Sequence, residues 1–387
     1  MNPLLRWASK HCLSALGRLE VSVAHKPSPP RDPDAVRNIL IWSMDRLGDI
    51  VRATPAIRML KHRFASASIT VVATGRAAPA LLQNPWISSL HHVPNPYDLR
   101  RHLQILRAFR MTRWDMGVLL EVDPYWSYVG RWWFWLLGVK HWAGFHFGSR
   151  LPRTAIATSL NQASSWVDHF VRLAASLGAE DDGRGLEIHV SAEERVAAEQ
   201  LLRANHVEPT EPFIVVHAGG TFLTLSRQWP PESFAGLVTL LRRDWGYPIV
   251  VVGSNAERGT IETIKRHTRV ELIDLSGKTD IRQLAAVIDL SRLCIMNDSG
   301  PLHIAHALRK AAVAILGPTA PAVVGIPSTT IVVRADLPCS PCAFLGGWRT
   351  CTNPVEWECL NVVTPDHVFA AVREQIKRTG PPLAIRG

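Results

Sequence analysis

Residues 213–220 read Phe213-Ile214-Val215-Val216-His217-Ala218-Gly219-Gly220, a short apolar run that enters a glycine turn. An apolar run of this length, closed by a turn, describes a buried strand, and glycine lets the backbone approach a ligand closely. Working outward, the pattern predicts helices over 234–241, 261–266, 281–288 and 303–308, and strands over 248–252, 272–274, 293–296 and 312–316. The same alternation begins earlier. A strand over 38–42 is followed by Ile50, Ala53, Ile57, Leu60 and Phe64 at helical spacing, then by strands over 69–73 and 116–120. Residues 193–204 read as a helix and 207–212 as a connector. Alternating strands and helices argue for an α/β fold with parallel sheets. Two such sets, each opened by a strand and a glycine turn, predict two facing Rossmann-like domains with a cleft between them. The expected division is an appendage with a Pro-rich linker over 1–36, a first Rossmann-like domain over 37–206 and a second over 207–387, which the residues below make the acceptor side and the donor-binding side. The final helix is an element able to pack back on the N-terminal domain. Ligands of open α/β sheets bind outside the carboxyl ends of the strands, which directs attention to the loops there.

The chain has 387 residues, 47% hydrophobic and 20% charged, which excludes a disordered polymer. Lys and Arg number 43 against 33 Asp and Glu, a net +10 that favours anionic partners. The longest apolar runs, 213–218 and 311–317, fall far short of the roughly 20 residues a membrane span needs. Arg6, Lys10 and Arg18 interrupt the apolar residues of the N-terminus, so no signal peptide is expected. Six cysteines are too few for a disulfide scaffold, and a reducing cytoplasmic setting is the expectation. Leu4, Leu5, Ala8, Cys12, Ala15, Leu16 and Leu19 recur near helical spacing among basic residues. Two readings stand for them, a helix packed on the protein or a basic amphipathic helix on an anionic membrane. No nucleic-acid-binding motif is present, so the anionic partner is not expected to be nucleic acid.

Several constellations sit where the chemistry is expected. Arg46-Leu47-Gly48-Asp49 follows the first strand and opens a helix. Asp49 reads either as the helix cap or as a general base for a substrate hydroxyl. Asn297-Asp298-Ser299-Gly300-Pro301-Leu302-His303 follows a strand and opens another helix, where the amides from Ser299 to Leu302 and the helix dipole make an anion site. Thr221 offers a hydroxyl after the 217–220 turn, and Arg227 a planar cation suited to phosphate. Glu257, after the strand over 248–252, is a ligand-binding or capping residue; Trp229 reads as core. Arg46, Arg52 and Arg58 are candidates to face an anionic acceptor, or simply form a solvated helix face. Cys339, Cys342, Cys351 and Cys359 have spacings suited to a structural zinc site, with free thiols as the other reading. The dense aromatics Tyr125, Trp126, Tyr128, Trp132, Trp133 and Trp135 suit a core, and beside Arg131 and Lys140 they also suit a membrane interface.

The stretches Asn38–Ile41 and Leu47–Ala56, with Asn297–Ala305, Leu316-Gly317-Pro318-Thr319 and Arg227-Gln228-Trp229-Pro230, resemble the signatures of glycosyltransferase family 9, the ADP-heptose:lipopolysaccharide heptosyltransferases. The likeness runs in order from about Asn38 to the final helix. It implies a GT-B fold and an inverting metal-independent mechanism; a cytoplasmic enzyme, monomeric and peripheral to the inner membrane, is the expectation that the charge, cysteines and aromatics add. It implies ADP-heptose as donor and a lipopolysaccharide-core or related anionic glycolipid as acceptor. By position, Asp49 becomes the base and Asp298, Ser299, Gly300 and His303 hold the donor, with Thr221 and Arg227 near its phosphates; Glu257, from its own loop, is counted among the donor-binding candidates. Arg227 stands where many relatives carry Lys, and Asp45-Arg46 where small residues are common. The alternatives are transfer of another nucleotide-activated sugar in cell-surface polysaccharide synthesis, a nucleotide-sugar epimerase of the same fold, and a non-catalytic sugar-nucleotide-binding module.

Overall fold

The apolar run that opens each half becomes the central strand of a parallel sheet. The computed structural model describes residues 32–95, 97–139, 141–145, 155–158, 164–220, 227–343 and 351–380. The expected N-terminal helix, Lys140 and Thr221 lie outside these residues. Two units are distinguished, Met1–Gly185 and Leu186–Gly387.

In the first, β1 (Asn38–Ser43), β2 (Ser68–Thr74), β3 (Ser89–Val93), β4 (Met116–Leu119), β5 (Trp142–Phe145) and β6 (Ala155–Thr158) form one sheet in the order β3-β2-β1-β4-β5-β6. In the second, β7 (Ile214–His217), β8 (Ile249–Val251), β9 (Ile273–Asp274), β10 (Leu293–Asn297), β11 (Ala312–Ile315) and β12 (Thr330–Val333) follow the order β12-β11-β10-β7-β8-β9. All pairings are parallel. Counted within each half, both sheets run 3-2-1-4-5-6, the doubly wound order whose crevice opens where the winding reverses. That point lies between β1 and β4 in one unit and between β7 and β10 in the other.

The central strands are buried on both faces: Ile39, Leu40, Ile41 and Trp42 are fully covered, as are Ile214 and Val215. Continuous apolar runs are what a strand covered on both faces requires. The periodic stretch 50–64 forms two helices, Leu47–Arg52 and Thr54–Arg63. Pro55 begins the second, where its missing N–H removes no helical bond. The aromatic segment is the helix Pro124–Leu136. Its Trp133 and Phe134 are buried, while Trp135 and Leu136 are exposed. Trp42 donates from Nε1 to the carbonyl of Trp126 at 3.1 Å, binding this helix to β1. In the second unit, fully buried Trp229 packs edge-on to Phe234 and donates to the carbonyl of Val363 at 2.8 Å, so it is core as expected.

The division falls at 185/186 rather than at 206/207. Helix Ala192–Ala204 packs on helix Ile281–Leu290 of the second unit. Arg282 clamps it by two bonds to Glu194, 2.7 and 2.6 Å, and Arg195 pairs with Asp289. The final helix, Pro365–Arg378, packs against helix Pro231–Trp245, β11 and β12 of its own unit. Gln375 fastens it to the carbonyl of Thr329 at 2.7 Å. Among the described residues no helix is long and apolar enough to cross a membrane.

Candidate active site

In the first unit the residues of interest gather on the loops after β1 and β4. Arg46 occupies the cap position of helix Leu47–Arg52 and makes no side-chain capping bond. Asp49 therefore lies inside the first turn and is not the cap. Its carboxylate is 13% exposed, and Arg52 reaches it at 3.2 Å. A negative charge in the first turn also suits the helix dipole.

Beside Asp49 lies a buried acid pair. Asp45 and Glu121 are 6% and 0% exposed and hydrogen-bond to each other. The amide of Val122 donates to Asp45 at 2.9 Å, and that of Met44 to Glu121 at 2.7 Å. Burial, then the charges of Glu121 and Asp49, pushes the Asp45 carboxyl well above the usual carboxylate range. Burial also raises Glu121, to about 7, against the lowering effect of its hydrogen bonds from Asp45, Met44 and Asp123. The pair ties the loop before Asp49 to the end of β4. The sequence showed Asp45 only as a departure from the family pattern. Glu121 carried no local signal, because its meaning depends on a partner 76 positions away (121 − 45).

The basic residues divide. Arg46 is exposed, and Arg52 is engaged with Asp49. Arg58, expected to face an acceptor, is 0% exposed and bidentate to Asp182 at 2.9 and 2.8 Å, with a third bond to the carbonyl of Gly185. It is a clamp within the first unit, and the acceptor role is withdrawn for it. A buried guanidinium persists only where its donors are matched, and here a carboxylate fork and a carbonyl match them.

In the second unit Asn297, fully buried, joins three segments. Its Nδ2 donates to the carbonyl of Ala218 at 2.9 Å, and its Oδ1 accepts from the amide of Trp229 at 3.3 Å. This brings together the turn after β7, the Arg227–Pro230 segment and the end of β10. Arg227 pairs with Asp298 at 3.0 Å, with the arginine a quarter exposed and the aspartate almost covered. Ser299 Oγ lies 3.1 Å from His217 Nδ1, and His217 Nε2 lies 3.3 Å from Glu257 Oε1. Glu257 accepts from both the amide and the hydroxyl of Ser254, at 2.6 and 2.9 Å. A Cβ on Gly219 would stand 1.8 Å from Glu257 Oε1, so only glycine leaves room for this carboxylate. His303 is 1% exposed in the first turn of helix Gly300–Ala307, with its ring edge-on to His306. The amide of Leu302 is bonded to the carbonyl of Ser299 and Pro301 has none, so the amides for an anion are those of Ser299 and Gly300. The structure therefore brings Arg227, Glu257, Asp298, Ser299, Gly300 and His303 together at the carboxyl ends of β7, β8 and β10. His217 belongs with them and was read only as part of a turn.

The four cysteines Cys339, Cys342, Cys351 and Cys359 line one small cavity with Asn353 and Trp357. Asn353 donates to Cys339 and the amide of Trp357 to Cys351. Burial, and then the neighbouring Cys342, Cys339 and Cys351, pushes the Cys359 thiol up to about 11. Yet among the described residues no three His, Cys, Asp or Glu side chains are arranged to hold a metal ion. The four thiols surround one small cavity. The amides of Cys342 and Ala343 both donate to the carbonyl of Pro318, which clips this segment to the loop after β11.

Comparison with known proteins bears on the same residues. The lipooligosaccharide heptosyltransferase 2 of Haemophilus ducreyi is 27% identical over 300 residues, covering 73% of this chain and 84% of that protein. A glycosyl transferase family 9 structure from Veillonella parvula matches with a TM-score of 0.75 at 20% identity, covering 88% of this chain and 98% of that one. The ADP-heptose lps heptosyltransferase II of Escherichia coli matches with a TM-score of 0.71 at 20% identity, covering 88% and 99%. Both sheets thus belong to the GT-B architecture. The family model described as glycosyltransferase family 9 (heptosyltransferase) matches residues 131–345, more than half of the chain and inclusive of every segment gathered around His217. With that match and this arrangement, the chain belongs to glycosyltransferase family 9.

Proposed function

We propose that this glycosyltransferase moves heptose from ADP-heptose to a hydroxyl of a lipopolysaccharide-core or related glycolipid, with inversion at the anomeric carbon. The observation that carries the reading is the cluster at the ends of β7, β8 and β10: a cation held by Asp298, the amides that open helix Gly300–Ala307, and a half-buried carboxylate. These suit, in turn, a diphosphate and the hydroxyls of a nucleotide sugar.

In the proposed reaction Asp49 takes the proton of the acceptor hydroxyl as that oxygen attacks the anomeric carbon. The bond from that carbon to the diphosphate oxygen breaks, and the electron pair leaves with the diphosphate. Arg227 and the amides of Ser299 and Gly300 offset the charge that develops there. Asp298 keeps the Arg227 guanidinium in place, and His303 lines the same turn. No step is assigned to a metal. Thr221 joins the donor residues by its place in the sequence alone.

With a glycolipid acceptor, the proposed setting is the cytoplasmic face of a membrane, with the protein peripheral to it; a monomer is proposed alongside. Helix Leu99–Phe109 supports this reading: Leu99 and Leu103 are exposed one turn apart, beside exposed Arg100 and Arg107. Apolar side chains among arginines suit an anionic headgroup layer.

Binding measured against ADP, UDP, GDP and TDP tests the donor. Selective binding of ADP, followed by transfer from ADP-heptose to a lipopolysaccharide-core acceptor, is expected. Preference for another nucleotide would overturn the donor assignment.

A further inference from the structure

The loop that leads to Asp49 is held from both sides of β1. Asp45 accepts the amide of Val122 at 2.9 Å, while Glu121 accepts the amide of Met44 at 2.7 Å. Each carboxyl thus bonds the backbone of the other's segment, and the two carboxyls bond each other. The hydroxyl of Thr74 donates to the carbonyl of Asp45 at 3.0 Å. The ends of β2, β1 and β4, consecutive in the sheet, are joined in this way where the winding reverses. Helix Leu47–Arg52 starts just beyond, and its cap residue Arg46 makes no side-chain capping bond. The clasp on Asp45 therefore fixes the entry to the turn that presents Asp49.

The clasp has a chemical requirement. Ionised carboxylates only accept, so a bond between two of them needs a hydrogen on one. Burial is the main cause that raises both groups, Asp45 well above the usual carboxylate range and Glu121 to about 7. The charge of Asp49 acts on Asp45 and that of Asp123 on Glu121, and both oppose a second negative charge in the pair. Arg52 is engaged with Asp49, and Arg46 is exposed. The last hydrogen of a coupled pair leaves no lower than the higher of its two values, which here is about 7 or above. Once it has left as a proton to water, two buried carboxylates face and repel each other.

We propose that Asp45 and Glu121 are positioning residues for Asp49: closed by one hydrogen, the clasp between their carboxyls holds the turn in which Asp49 meets the acceptor hydroxyl, and loss of that hydrogen opens it. The proposal rests on the assignment of Asp49 as the base. Transfer then faces two opposed demands. Asp49 works only as the carboxylate, and the pair beside it works only while it keeps a hydrogen.

Two measurements test it. In the full chain labelled with ¹³C at the Asp and Glu carboxyls, the Asp45 and Glu121 resonances are assigned by their loss in Asp45→Asn and Glu121→Gln. They should titrate together, with the last step at about 7 or above. Two ordinary titrations at about 4 would overturn the proposal. In kinetics of transfer from ADP-heptose, the wild-type kcat should fall on the alkaline side as that last step is passed. Asp45→Ala opens the clasp and should lower kcat by about 10- to 100-fold, the scale of a misplacement of about 1 Å, with ADP affinity by calorimetry little changed. Asp45→Asn keeps a hydrogen toward Glu121 at every pH. It should rescue most of the rate that Asp45→Ala loses and carry it past the alkaline limb. Should Asp45→Ala fail to fold, the Asp45→Asn profile decides alone. A limb unchanged in Asp45→Asn, or full kcat in a folded Asp45→Ala, would show that the pair only ties two loops together, and would sink the idea. Undiminished turnover in Asp49→Asn, or no transfer from ADP-heptose by the wild type, would overturn the reading beneath the proposal and the role toward Asp49 with it. The resonances would still decide the hydrogen.

Discussion

At the scale of single residues, the charges around Asp49 define what can be tested first. Asp49→Asn keeps the shape of the first turn and removes the proton acceptor. Transfer should fall by about 10²- to 10⁴-fold, the range of one general base, while ADP affinity stays within twofold of the wild type. Steady-state kinetics beside calorimetry separate the two effects, and undiminished turnover would remove Asp49 from the mechanism. The Asp45–Glu121 pair predicts a dependence of stability on pH. Folding raises the affinity of these carboxyls for protons: Glu121 moves from 4.5 to about 7, and burial pushes Asp45 well above its own starting value. The folded state therefore binds more protons than the unfolded chain across that window, and stability falls as pH rises through it. Urea unfolding of the wild type should show this slope, and Asp45→Asn, which keeps a donor toward Glu121, should flatten it. A slope that persists unchanged in the variant would assign it elsewhere. These two acids also mark where sequence reading ends. Asp49 stands in a motif, whereas Glu121 acquires its role only from the loop it meets in space.

At the scale of elements, the strands that read clearly were those buried on both faces. β1, β7, β8, β10 and β11 are apolar runs that nothing but a central strand explains. The ones that did not read lie toward the edges. β3 is Ser89-Leu90-His91-His92-Val93 with only Val93 buried, and β12 is mostly half-covered. An edge strand has one neighbour and a wetter face, so its composition drifts toward that of a loop. β5, Trp142-Ala143-Gly144-Phe145, carries a glycine whose place opposite Leu119 is set by close packing. The motifs at strand ends were legible because turns and caps demand particular residues. Arg58 was misjudged for the opposite reason: a cation on a helix looks the same in sequence whether it meets water or Asp182. Its place makes a sharp prediction. Arg58→Ala removes a buried cation bonded to Asp182 and Gly185 and should destabilise the first unit by about 2–4 kcal/mol in urea unfolding. A loss under about 0.5 kcal/mol, the size of an ordinary surface change, would mean the clamp is ornamental.

At the scale of the whole molecule, the net charge of +10 and the exposed face of helix Leu99–Phe109 combine. Sedimentation with anionic vesicles should capture the protein, with capture declining as salt screens the arginines, and zwitterionic vesicles should retain much less. The Leu99→Gln/Leu103→Gln double variant should lower capture several-fold without changing ADP binding. Equal capture by both vesicle types would remove electrostatics from the account. One consequence of the clamp at Arg58 concerns exchange of halves between relatives. Asp182 and Gly185 stand on an exposed stretch that looks like free linker, yet both are bound to Arg58. A chimera joined upstream of them strips the first half of its own anchor, and one joined at 206 splits Ala192–Ala204 from the helix that Arg282 holds to it. The seam that leaves both anchors whole is the bond between Gly185 and Leu186.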